Sequence, residues 1–141
     1  MAKKADPAAM LADVDLFAGL SKKDLKRIQA VGKEVHFPAG RTIVEQGDTG
    51  VAFHLILDGK AKVDVHGARR RPLGPGDYFG EISLIDREPR SATVTADSDV
   101  RTFAIASWDF MPLVADSPTM AKKMLLEMCR RIRSLEESFK H

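Results

Sequence analysis

The 141 residues include a single cysteine, Cys129. No internal disulfide can form, so the fold rests on a packed core, and this usage fits a reducing, cytoplasmic setting. No run of about 18 apolar residues occurs. The N-terminus Met-Ala-Lys-Lys-Ala-Asp-Pro lacks the apolar stretch of a signal peptide, so neither membrane insertion nor secretion is indicated. Charge of one sign is also scarce: 22 Lys and Arg against 20 Asp and Glu leave a net +2, too little to imply a nucleic-acid surface. The four histidines, His36, His54, His66 and His141, are scattered. A metal barrel of the cupin type therefore lacks its ligands, and Cys129 lacks a histidine partner. The chain reads as non-enzymatic, with no metal expected.

With 44% apolar and 30% charged residues, the sequence suits one soluble domain with a proper core. Three segments are expected: a helical segment over 1–34, a β-barrel over 35–106 and C-terminal helices over 107–141. In the first, Asp6-Pro7 starts a helix with Met10, Leu11 and Val14 on one face. Ser21-Lys22-Lys23-Asp24 has the form of a capping box before Leu25 and Ile28. Phe17 and Leu20 should plug onto the next element, with Lys22, Lys23, Lys26 and Arg27 facing outward.

Eight of the ten glycines lie from Gly40 to Gly80, separating short runs rich in β-branched and aromatic residues. That pattern predicts a mainly β fold, an antiparallel jelly-roll barrel with flanking helices. The runs are Val35–Phe37, Thr42–Glu45, Ala52–Leu57, Ala61–Val65, Arg70–Leu73, Ala92–Ala96 and Val100–Ile105. Ala61, Val63 and Val65 alternate inward, Asp58-Gly59 signals a tight hairpin and His66-Gly67 another. Arg69, Arg70 and Arg71 read as edge-strand residues. Beyond the sheet, Ser107 is expected to cap a short helix carrying Trp108 as a core anchor. Ser117-Pro118 opens a long final helix.

The stretch 79–94, Phe-Gly-Glu-Ile-Ser-Leu-Ile-Asp-Arg-Glu-Pro-Arg-Ser-Ala-Thr-Val, sets a glycine, a carboxylate and an arginine around one short apolar turn. Gly80 lets backbone approach a ligand, and a short helix from Glu81 to Ile85 would aim its first N–H groups at an anion. Pro89 fixes the approach of Arg90, whose planar fork suits the two free oxygens of a phosphodiester. Glu81 beside an anion needs hydrogen-bond donors, which a ribose hydroxyl supplies.

This stretch resembles the phosphate-binding cassette of the cyclic nucleotide-binding domain family, the catabolite activator and protein kinase A regulatory subunit type. The likeness extends through Gly40, Ile43, Gly47-Asp48, Phe53, Ile56, Gly59 and Gly74-Pro75-Gly76-Asp77-Tyr78-Phe79, and covers about Leu16 to Ile132. It implies that Glu81 binds the ribose 2′-hydroxyl and Arg90 the cyclic phosphate, with backbone groups of Gly80, Ser83 and Ser91 completing the ring. Phe79, Ile82 and Ala92 belong to the same pocket. Val63 would pack on base or sugar, and Arg131 and Leu135 would cover the base from the final helix. His54 departs from the family's usual Tyr, and the His66 hairpin is short. The ligand implied is cyclic AMP, with cyclic GMP possible.

Along the final helix Ala121, Leu125, Met128, Ile132, Leu135 and Phe139 recur at alternating intervals of four and three, a heptad seam. A second stripe of Met120, Met124 and Cys129 runs beside it. The seam suits a homodimer or an effector protein. Only two residues follow Phe139, which leaves no room for a DNA-reading helix pair, so DNA binding is not expected and a stand-alone sensor is. The alternatives are a truncated transcription regulator of the same family and a dimerising scaffold that has lost its nucleotide.

Overall fold

A computed structural model describes residues 7–47 and 52–139; Asp6, Asp48 and His141, used in the reading above, lie outside them. The chain opens with α1 (Pro7–Leu11), a 3-10 turn (Asp15–Phe17) and α2 (Lys22–Val31). Ser21 Oγ accepts the Asp24 N–H at 3.1 Å, so the expected cap forms. Leu11, Val14, Phe17 and Ile28 are fully buried, while Lys22, Lys23 and Lys26 stay exposed.

Among the described residues eight strands follow: β1 (Lys33–Phe37), β2 (Thr42–Val44), β3 (Ala52–Asp58), β4 (Ala61–Val65), β5 (Ala68–Arg69), β6 (Tyr78–Phe79), β7 (Thr93–Ala96) and β8 (Val100–Ala106). They form two four-stranded sheets, ordered β1-β8-β3-β6 and β2-β7-β4-β5, with every pairing antiparallel. The fold is thus mainly antiparallel β with flanking helices, divided into two sheets instead of one closed barrel.

Strand β3 explains the layering. Its residues Phe53, Leu55 and Leu57 join Phe17, Phe103, Ile105 and Phe110 in a core between the first sheet and the helices. Ile56, on the opposite face, packs with Val94, Ala96 and Val100 between the two sheets. A strand buried on both faces has helices on one side and a second sheet on the other. Phe17 locks the helical layer down, with its ring 5.7 Å from Phe53 and 5.8 Å from Phe110. Each such buried side chain contributes roughly 1.5–3 kcal/mol.

Several expectations are corrected. Asp58-Gly59 does not close a hairpin: β3 pairs with β8 and β6, whereas β4 pairs with β7 and β5. The turn carries the chain from one sheet to the other, because both hydrogen-bonding edges of β3 are taken by strands distant in sequence, β8 and β6. His66-Gly67 does close one, with φ of 50° and 79°, the paired left-handed values a two-residue hairpin loop needs. Arg70–Leu73 is not a strand. The hairpin's return leg is Ala68–Arg69; beyond it the Arg70 N–H still donates to the Val63 carbonyl at 2.8 Å, and Leu73 bridges back to Ala61. Arg69, Arg70 and Arg71 are exposed along this edge.

Helices α4 (Ser107–Ala115) and α5 (Pro118–Phe139) complete the chain. Ser117 Oγ accepts the Met120 N–H and caps α5. Ser107 does not cap α4; it is helical itself and fully buried. Trp108 is not a core anchor either, being 59% exposed, and the buried aromatic of α4 is Phe110. Since α4 presents one narrow stripe to the core, only one of two aromatics two positions apart can occupy it. Met120 and Met124 hold α5 to the body, while Leu125, Ile132, Leu135 and Phe139 of the heptad seam are exposed. Among the described residues no helix is long and apolar enough to cross a membrane.

Candidate functional site

The stretch 79–94 folds around a cavity of about 420 Å³, lined by Phe79, Gly80, Glu81, Ile82, Ser83, Arg90, Ser91 and Ala92 among others. Phe79 ends β6, which hangs on β3 through the pairing of His54 with Phe79. At Gly80 the backbone turns left-handed, with φ +83°. A short helix, α3 (Ser83–Asp86), follows. Leu84 sinks into the helix-side core and leaves the turn ahead of it facing the hollow.

Arg90 returns over Gly80. Its Nη2 donates to the Ala52 carbonyl, and its backbone carbonyl accepts the Gly47 N–H at 2.9 Å. The guanidinium lies where a β-carbon on residue 80 would stand, which is why only glycine fits. Burial lowers the Arg90 pKa from its ordinary value, but guanidinium stays cationic in proteins. Behind it, buried His54 stacks on Phe79 at 5.2 Å and shares a hydrogen bond of 3.1 Å with Thr102. Burial, and then the charge of Arg90, lower its pKa to about 4. At neutral pH His54 is uncharged, packed behind the Phe79 wall of the site.

Glu81 is held from α5: Arg131 Nη1 donates to Glu81 Oε1 at 3.2 Å, with both side chains largely buried. The two residues given separate roles in the sequence reading are therefore partners. Arg90 and Glu81 line one hollow, each already tied to a protein group. Val63 and Leu135 are not among the lining residues. Val63 pairs with Val94 in the second sheet, and Leu135 is exposed on α5.

Sequence reasoning did not assign Val44, Tyr78, Asp86, Glu88, Pro89 and Val94 to the site, yet all six line the cavity. Val44 and Val94 face each other across β2 and β7, a pairing that no local pattern announces. Asp86 and Glu88 were in plain view inside the cassette, and their signal was charge. Ser107 provides another link: its Oγ donates to the Leu84 carbonyl at 2.6 Å and receives Arg87 Nε at 3.3 Å. Arg87 itself is left-handed, with φ 57°, where it ends α3. The cassette helix and the first residue of α4 are thereby joined. Among the described residues no group of three or more His, Cys, Asp or Glu side chains is placed to hold a metal ion.

Over residues 34–117 the chain matches the family model described as "Cyclic nucleotide-binding domain". The chain belongs to that family. The domain's matched span holds both sheets, the cassette and α4. Among relatives, the "CRP-like cAMP-activated global transcriptional regulator" of Mycobacterium tuberculosis is 29% identical over 88% of this chain and 58% of its own length. A "cGMP-dependent protein kinase" of Toxoplasma gondii is 40% identical over 66% of this chain and 9% of its own. Among solved structures, the N-terminal domain of a transcriptional regulator from Streptomyces coelicolor A3(2) superposes with a TM-score of 0.84 at 29% identity, covering 91% of this chain and 95% of that one. The chain thus spans about three-fifths of the M. tuberculosis regulator's length.

Proposed function

We propose that the cavity binds a cyclic nucleotide, cyclic AMP in preference to cyclic GMP, and that the protein is a non-catalytic sensor. One observation carries this reading: Arg90, Glu81 and Gly80 line the same hollow of about 420 Å³, within the roughly 300–1,000 Å³ of small-molecule pockets. A cyclic phosphate would replace the neutral Ala52 carbonyl as the acceptor for Arg90, and charge-assisted bonds are about twice as strong as neutral ones. Glu81 keeps Arg131 on Oε1 and offers Oε2 to a ribose 2′-hydroxyl. Gly80, Ser83 and Ser91 would contact the phosphate through backbone groups, with Phe79, Ile82 and Ala92 as apolar walls. Similarity to a cAMP-activated regulator over 88% of the chain supports cyclic AMP.

The response follows from what the site is tied to. Glu81 reaches α5 through Arg131, and α3 reaches α4 through Ser107. Ile82 also lines a second, apolar hollow of about 330 Å³ against Met111, Met124 and Leu125, so α5 has room to move. A ligand that draws in the cassette shifts the population toward a closed α5, with Leu135 brought to the base while Val63 packs on base or sugar from its hairpin.

Thermal shift tests the binding. At a hundredfold excess over Kd, cyclic AMP should stabilise the protein by about 2.7 kcal/mol, roughly 10 °C at this size, and cyclic GMP by less. If neither moves the midpoint, the sensor reading fails.

The exposed Leu125, Ile132, Leu135 and Phe139 favour a homodimer that pairs α5 along its seam with Ala121 and Met128, or an effector protein reading the same face. Sedimentation equilibrium should find a dimer that Leu125→Glu with Ile132→Glu converts to monomer, weakening association at least about a hundredfold. A parent protein that stays monomeric at high micromolar concentration removes the homodimer.

A second reading, the sensing part of a transcription regulator, is favoured by the match to a regulator's N-terminal domain over 95% of its length. Retention of duplex DNA in a filter assay would support it over the sensor acting through another protein.

A further inference from the structure

We propose that Asp86 and Glu88 form a charge filter at the exposed edge of the cavity and bias it toward ligands with a single negative charge. The proposal rests on the nucleotide reading of the site. Among the described residues, the ionisable acidic and basic side chains lining the cavity, tyrosine aside, are Glu81, Asp86, Glu88 and Arg90. Glu81 is compensated by Arg131 at 3.2 Å, which leaves one lining cation and two uncompensated carboxylates. A cyclic phosphodiester carries one negative charge, and Arg90 matches it. The second and later charges of a linear mono-, di- or triphosphate meet no further cation among the described lining residues and face Asp86 and Glu88.

Both carboxylates are exposed, so the repulsion acts through water. For charges some 6–8 Å apart it amounts to about two- to threefold in affinity per pair, hence roughly fivefold per additional ligand charge for two carboxylates. It should fade with salt as the Debye length contracts. The loop that carries the filter is fixed: Asp86 Oδ1 accepts the Glu88 N–H at 2.9 Å. An asparagine at 86 retains that acceptor, and the Glu88 carboxylate has no hydrogen bond or ion pair among the described residues. The charges can therefore be removed with the shape kept.

The test is displacement of a fluorescent cyclic AMP analogue by cyclic AMP, AMP, ADP and ATP at 20 and 500 mM salt, with and without magnesium. The parent is compared with Glu88→Gln and with Asp86→Asn plus Glu88→Gln. In the double variant the affinity of AMP relative to cyclic AMP should rise about fivefold at low salt. ATP should gain more, less when magnesium offsets its charge, and Glu88→Gln alone should give about half the effect on a logarithmic scale. The gain should shrink at high salt. Ratios unchanged within twofold at low salt, with cyclic AMP still bound, overturn the filter and leave the nucleotide site standing. If the analogue binds none of the three proteins, filter and sensor readings both fall.

Discussion

Replacing Arg90 by alanine is expected to weaken cyclic AMP binding by about 2–5 kcal/mol, roughly thirtyfold to several thousandfold. The size follows from burial. Arg90 is the sole cation among the cavity's described lining residues, and a phosphate held there without it stays desolvated and unpaired. The unliganded protein is affected as well, since the Ala52 carbonyl loses the donor it has now, at a cost of about 1 kcal/mol of folding stability that offsets part of the binding loss. Titration calorimetry on protein shown to be folded by its unliganded unfolding midpoint separates the two effects. Arg90→Lys should fall between, because it keeps the charge without the two-pronged geometry. Parent-like affinity in the alanine variant would show that the phosphate is held elsewhere.

Gly80→Ala should damage stability and binding together. The backbone there has φ +83°, and a β-carbon would overlap the Arg90 guanidinium and come within 2.8 Å of the Ala52 carbonyl oxygen. The left-handed conformation alone costs an alanine about 1–2 kcal/mol. Relieving the overlap means expelling Arg90 or shifting β3, so a total of roughly 2–4 kcal/mol is expected in urea unfolding. Affinity should fall about as far as in Arg90→Ala, because the displaced guanidinium no longer reaches the phosphate. Gly74→Ala is the control: a β-carbon there meets nothing within 4 Å, and its stability should stay within about 0.5 kcal/mol of the parent. A Gly80 variant indistinguishable from this control would mean that the close passage of Arg90 does not constrain the site.

The cassette was legible because its chemistry is compressed into sixteen neighbouring positions, 79–94. The glycine that permits a left-handed turn, the proline that directs the arginine and the carboxylate beside them all act on their immediate surroundings. Local reading also sufficed for the Ser21 and Ser117 caps and the His66-Gly67 turn, where one residue answers an N–H or a dihedral a few positions away. It failed where the decision lay with distant partners. Asp58-Gly59 has the composition of a hairpin, but the edges of β3 are taken by β8 and β6. Ser107 looked like a cap and is a buried bridge to Leu84, 23 residues away. Trp108 had the bulk of a core residue, and Phe110 holds the place.

What the sequence by itself determined is the repertoire: strands separated by glycine turns, an amphipathic final helix and a Gly-Glu with a Pro-Arg at a spacing that suits an anion. These follow from dihedral preferences and periodicity, which act over a few residues. Tertiary structure alone decided that Val44 and Val94 share the wall of the hollow, that Arg90 rests on the Ala52 carbonyl, and that Glu81 is met by Arg131 from 50 positions along the chain. Those contacts join segments far apart in sequence, and they exist because burying β3 on both faces stacks helices and a second sheet against it.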